Sequence, residues 1–199
     1  MDKVEKLQDP LKPLDQIYEP DERQVSFVAT LDERHEALNE IVLNDSVPLD
    51  VRQLFETAKN LSLYSWFVYR FHQVAELMSF TALEMALRER YLAENPIDPK
   101  SNKKPPALYR LLQHAKMNEW ITNEGFPGLY ETARYNARHI KMIEKSVIHD
   151  FEKEPEMPVD EPNEQEIQDA LEELDMVEAI ASNAHDIRND LAHGSNARL

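Results

Sequence analysis

Apolar residues recur along this chain at intervals of three and four, the spacing of one helical face. The clearest case lies at the end. Ile167, Leu171, Leu174, Val177, Ile180, Ala184, Ile187 and Leu191 follow one another at helical spacing after Asn163, a good N-cap, with Glu166 in capping-box position. Gly194 is placed to close this long amphipathic helix as a left-handed cap. From Leu49 to about Ala93 a second long pattern predicts one helix, or two with a break near Asn60 to Ser65. Its second half is apolar on two faces: Phe71, Val74, Met78, Ala82 and Met85 form one stripe, and Leu77, Phe80, Leu87 and Tyr91 another. Such a helix belongs in the middle of a bundle.

Earlier, Val28, Leu31, Leu38, Ile41 and Val42 predict a first helix from Asp21 to about Leu43. Residues 1–20, broken by Pro10, Pro13 and Pro20, read as an extended N-terminal arm. Shorter helices are expected at about Ala107 to Met117 and Leu129 to Ile148, after the proline-rich loop Asn95 to Pro106. The fold class is therefore all-α, an up-and-down helical bundle of about five to seven helices. Residues 21–199 are read as a single helical domain interrupted by an acidic, Pro-rich linker at 150–162.

Composition agrees and adds limits. Three glycines are too few for a chain of β-hairpins, while twelve prolines suffice to punctuate helices. With no cysteine, disulfide scaffolds, thiolate metal sites and a cysteine nucleophile are excluded. The N-terminus lacks the apolar core of a signal peptide, and Arg70, His72, Gln73 and Glu76 interrupt the most apolar stretch, Leu61 to Phe80. A cytoplasmic protein with no membrane partner is expected.

The net charge of -16 argues against indiscriminate nucleic-acid binding. Charge is uneven, however. Between Asp150 and Glu178 thirteen acidic residues face one lysine, whereas from Glu84 to Ile148 eleven Lys and Arg outnumber eight Asp and Glu. The acidic run reads as a solvated loop and helix face; the second stretch leaves room for a local basic face.

At about 100° per residue, Ile180, Ala184, Ile187 and Leu191 define the buried side of the last helix. His185, Asn189 and His193 form a ridge, with Asn189 nearly opposite the core and Arg188 between ridge and core. These polar groups are expected to meet water or a second subunit. Earlier in the chain, Glu84 falls within an apolar stripe, where a carboxylate must be paired, protonated or turned toward a cleft.

The run Arg188-Asn189-Asp190-Leu191-Ala192-His193, near the end of a terminal helix in an all-α chain, resembles the Arg-x4-6-His motif of the HEPN superfamily. Ser79 to Arg88 is similar to the earlier helix of those proteins, where a glutamate sits among small and apolar residues. Arg134 and His139 have the same spacing. There, however, Tyr135 follows the arginine where the family has a polar residue, so context favours Arg188.

The resemblance covers about Val51 to Gly194 and implies a HEPN-like fold. It implies a metal-independent endoribonuclease, a toxin or defence factor, with a composite site at a homodimer interface, an RNA substrate, no cofactor and an inhibitory or antitoxin-like protein partner. The alternative is a non-catalytic helical dimerisation or protein-binding module. The catalytic candidates are Arg188, Asn189 and His193, with Glu84 and His185 supporting the site or binding substrate. His193 has a side chain that titrates near neutrality, suiting it to general acid or base work. Arg188 suits a phosphate through its bidentate fork, and Asn189 can orient either group through its amide. A metal site at His185, Asn189 and His193 is poorly supported, because asparagine is a weak ligand.

Overall fold

The computed structural model describes residues 9–24, 30–98, 104–126, 128–149 and 156–193, with the side chains of His185 and His193 left out of that description. The chain is all-helical, as expected. Among the described residues there are seven α-helices, three 3-10 turns and no strand. They are α1 Leu31–Glu40, α2 Leu49–Tyr64, α3 Phe71–Glu94, α4 Leu108–Met117, α5 Leu129–Ile148, α6 Glu164–Glu172 and α7 Met176–His193. The chain divides into two compact units, Met1–Lys103 with Ile187–Leu199, and Lys104–Asp186.

In the first unit the helix expected from Asp21 is shorter. Asp21 caps only a 3-10 turn at Glu22–Gln24, its carboxylate accepting from the backbone N–H and guanidinium of Arg23. α1 begins where Thr30 and Glu33 form a capping box: Glu33 N–H donates to Thr30 Oγ1 (3.2 Å) and Thr30 N–H to Glu33 Oε2 (2.7 Å). It ends at Glu40, where Ile41 turns extended, so Ile41 and Val42 lie outside the helix and exposed. Val28 lies outside the described residues. In the arm, Asp9 ties residues far apart in the chain, reaching Arg23 and Arg70 at 2.5 Å each, and Leu14–Gln16 forms a 3-10 turn.

α2 and α3 pack along each other. Val51 and Ala58 of α2 and Ala75, Ala82 and Leu87 of α3 are buried. The small residues among them allow a close approach of the two backbones. The break falls at Ser65–Arg70, immediately after the stretch where it was expected. Ser65 is fully buried there and donates from Oγ to Ser62 O (2.6 Å), while Trp66 N–H bonds Leu63 O (3.1 Å). Of the predicted α3 stripes, Ala82 and Leu87 are buried, whereas Val74 is exposed.

In the second unit, Leu108, Leu111, Leu112 and Ala115 bury one face of α4. α4 closes through Glu119, a left-handed residue with φ 53°, and a bond from Trp120 N–H to Ala115 O (2.8 Å). Ala133 and Ala137 of α5 pack on Ile167 and Ala170 of α6, with Leu171 and Leu174 against them. The Asn163–Glu166 capping box is present.

The predicted terminal helix is two helices. α6 stops at Glu172, and Asp175 starts α7 by accepting Glu178 N–H at Oδ1 (2.8 Å) and Ala179 N–H at its carbonyl (2.9 Å). A local cap at Asp175 outweighs the continuous apolar period. Gly194 lies outside the described residues.

The acidic run is more than a solvated loop. Arg134, Arg138, Lys141 and Lys145 form one ridge of α5 at spacings of four, three and four. Glu161 meets Arg134 (3.1 Å) and Arg138 (3.5 Å), Lys141 meets Glu166 (2.8 Å), and Lys145 donates to Pro158 O. The Lys141 ammonium beside Glu166 holds that carboxyl below its usual range. The basic ridge allowed for in this stretch exists, and the chain's own acidic segment pairs with it.

Candidate functional site

Glu84 comes from the middle of α3 and Arg188 and Asn189 from the last turns of α7, all within the first unit. Helical spacing sets Glu84 beneath Arg88, four residues on, and the Glu84 carboxylate reaches it: Arg88 Nη2 to Oε1 is 2.5 Å. The other carboxylate oxygen faces Arg188, with Nη2 to Oε2 at 3.6 Å, an ion pair just beyond hydrogen-bond length. Arg188 also donates from Nη1 to Asn189 Oδ1 (3.3 Å). One carboxylate thus serves two guanidinium groups from two helices.

Burial makes this arrangement specific. The Glu84 side chain is 14% exposed, against 34% for Arg188 and 41% for Arg88. The Nε atoms of both arginines are buried without a hydrogen-bond partner. Of the three options for Glu84, pairing is the one realised. The cluster carries two positive charges and one negative, on a chain whose net charge is -16.

The structure corrects the expected direction of α7's polar residues. Val177, Ala181 and Ala184 are buried, Ile180 is half-buried, and Ile187, expected in the core, is 39% exposed. Arg188 and Asn189, expected to point away from the core, are half-buried. The Glu84 carboxylate accounts for the difference, since it offers Arg188 a charged partner on the protein side. His185 and His193 have their backbones in α7, and their side chains lie outside the described residues. At 100° per residue, five positions separate Arg188 from His193 by about 140° around the helix.

The rival spacing at Arg134 and His139 builds no comparable cluster: Arg134 pairs with Glu161, and His139 stacks on Tyr135 with rings 6.3 Å apart and 3° from parallel. Arg88 is the member of the cluster that reading the sequence for motifs passed over. Its signal was the glutamate four residues before it. Among the described residues no three His, Asp or Glu side chains gather as a metal-binding group, and no helix is long and apolar enough to cross a membrane.

The chain matches no protein-family model, no curated protein and no solved structure.

Proposed function

We propose that this chain is a metal-independent endoribonuclease of HEPN type, a toxin or defence factor that acts as a homodimer and is held in check by a protein partner. The observation that supports the reading is the ion pair between Glu84 and Arg188. Two residues singled out separately for their resemblance to the two helices of that superfamily meet in the folded chain.

Cleaving RNA without a metal requires a base for the ribose 2'-hydroxyl, stabilisation of the phosphate charge, and an acid for the leaving 5'-oxygen. On this reading His193 moves the proton. Arg188, oriented by Glu84, holds the non-bridging phosphate oxygens as their charge grows. Asn189, bonded to Arg188, fixes the guanidinium's rotation. Attack of the 2'-oxygen on phosphorus breaks the bond to the 5'-oxygen and leaves a 2',3'-cyclic phosphate and a 5'-hydroxyl. Because Arg188 and His193 do not share a helix face, two copies crossing at a two-fold axis complete the site, the isologous contact that is commonest among oligomers.

The expected result is cleavage of RNA by the purified protein in EDTA, lost in His193→Ala with no appreciable change in melting temperature. Cleavage that survives His193→Ala removes that residue from the mechanism. A second reading, a helical dimerisation module without chemistry, is favoured by α5, where Ile140, Ile143 and Val147 are exposed. On that reading the protein has a dimer's mass and leaves RNA intact.

A further inference from the structure

His72 opens α3 and sits at the centre of a polar cluster in the first unit. Its Nε2 lies 3.1 Å from Arg34 Nη2, 3.2 Å from Gln24 Nε2 and 3.1 Å from Ser65 Oγ. The guanidinium is an obligate donor. The Gln24 amide is oriented as a donor too, because its Oε1 accepts from Arg34 Nη1 (3.2 Å) and its Nε2 donates to Ser65 O (3.1 Å). Ser65 has already given its hydroxyl proton to Ser62 O. Arg34 and Gln24 therefore both need the lone pair on Nε2. Ser65 Oγ faces Nε2 as an acceptor, but two donors, one of them a cation, outweigh it and favour a neutral imidazole with its proton on Nδ1.

This polar cluster joins four pieces of chain: the Glu22–Gln24 turn, α1, the Ser65–Arg70 connection and α3. Among the described residues α1 has few other holds. None of its residues is buried, and Leu31 and Leu38 are only half so. Just beyond its C-terminal end, Lys59 Nζ donates to Ile41 O (3.0 Å). Between α1, α2 and α3 lies a cavity of about 340 Å³ lined by Leu38, Phe55, Ala58, Lys59, His72 and Glu76, among others. α1 spans a partly apolar hollow and does not fill it.

We propose that α1 is a lid released by a proton: adding one to Nε2 of His72 drives Arg34 and Gln24 off the ring and opens the space between α1, α2 and α3. The imidazolium has two N–H donors and no acceptor, so both contacts become donor against donor, one of them cation against cation.

The charged groups around the ring decide how hard protonation is. Arg34 on α1 opposes it directly, and Lys59 on α2 opposes it from across the cavity. Glu76 on α3 lines the same cavity and favours it. Asp21 and Asp9 are committed to their own pairs with Arg23 and Arg70, while Arg23 lies over the Tyr69 ring at 4.3 Å. His35 is α1's own histidine. Burial first, then the Arg34 charge, pushes the His72 proton affinity below its ordinary value, and burial lowers that of Arg34 as well.

A group whose closed-state pKa is lowered binds its proton more tightly when open. The lid is therefore fully latched above the ordinary histidine value of 6.5 and loosens as pH falls below it. One proton limits the effect to about tenfold between pH 7.5 and 5.5.

Hydrogen exchange of the full chain at those two pH values, corrected for intrinsic rates, reads this directly. The expected result is that α1 amides exchange up to about tenfold faster relative to α3 amides at the lower pH. His72→Gln should flatten this change, and His35→Gln should leave it in place. Equal relative protection of α1 at both pH values overturns the proposal, as does a pH response that survives in His72→Gln. Should His72→Gln fail to fold, Arg34→Gln supplies the second arm. The His72 ring resonances should titrate below pH 6.5 in the parent chain and move up toward that value in Arg34→Gln. A parent titration at or above it overturns the latch.

Discussion

Glu84→Gln keeps the shape of the side chain and removes its charge, which tests the one cluster on which the functional reading rests. The carboxylate accepts from Arg88 at 2.5 Å and faces Arg188 at 3.6 Å. An amide can serve one of these arginines through its oxygen, but its NH2 then faces the other, donor against donor. The Arg88 contact is a charge-assisted bond at helical i,i+4 spacing, worth about 0.5–1 kcal/mol once solvent screening of a half-exposed arginine is allowed for. The Arg188 contact is longer and its arginine a third exposed, so about 0.5 kcal/mol is a fair net value after the same discount. With both Nε atoms already unpartnered, the substitution should cost about 1–2 kcal/mol in total.

Urea unfolding in a Trp120→Phe background measures this, because Trp66 is then the sole tryptophan and belongs to the first unit. A double-mutant cycle of Glu84→Gln with Arg188→Gln should return a coupling of about 0.5 kcal/mol, and the cycle with Arg88→Gln a slightly larger one. Coupling to Arg188 indistinguishable from zero, with Glu84→Gln as stable as the parent, would refute the pairing and take the support for the ribonuclease reading with it.

Two further outcomes follow from single residues. Glu119 occupies a left-handed position at φ 53° that closes α4, so Glu119→Gly should raise the stability of the second unit by about 0.5–1 kcal/mol, read as a higher urea midpoint for Trp120 fluorescence. Asp21 is held well below its usual carboxylate range, chiefly by Arg23, so its contribution is present above about pH 4 and lost as pH falls toward its folded value. Asp21→Asn should therefore destabilise the first unit most at pH 7 and progressively less as pH falls below about 4, which acid unfolding of the two proteins will show.

What the sequence determined by itself was mostly local. The ranges of α4 and α5 and the capping box at Asn163 follow from spacing, caps and immediate neighbours, and such signals act within one or two helical turns. A local rule also accounts for two of the departures. Thr30 and Asp175 cap helices strongly enough to shorten the first helix and divide the last, although the apolar period runs on past them. The site was legible only in part. Glu84, Arg188 and Asn189 stood out as residues, but that Glu84 would draw Arg188 inward and leave Ile187 exposed depends on how α3 and the end of α7 meet.

The same limit hid the latch around His72, which reads in the sequence as a mere interruption of an apolar run, and the docking of Glu161 on the α5 ridge. Helical periodicity says which side of a helix is buried and says nothing about what lies against it. Ion pairs and shared lone pairs between residues far apart in the chain are settled only when the helices pack. In this protein Glu84, Arg188 and His72 acquire their partners at that step.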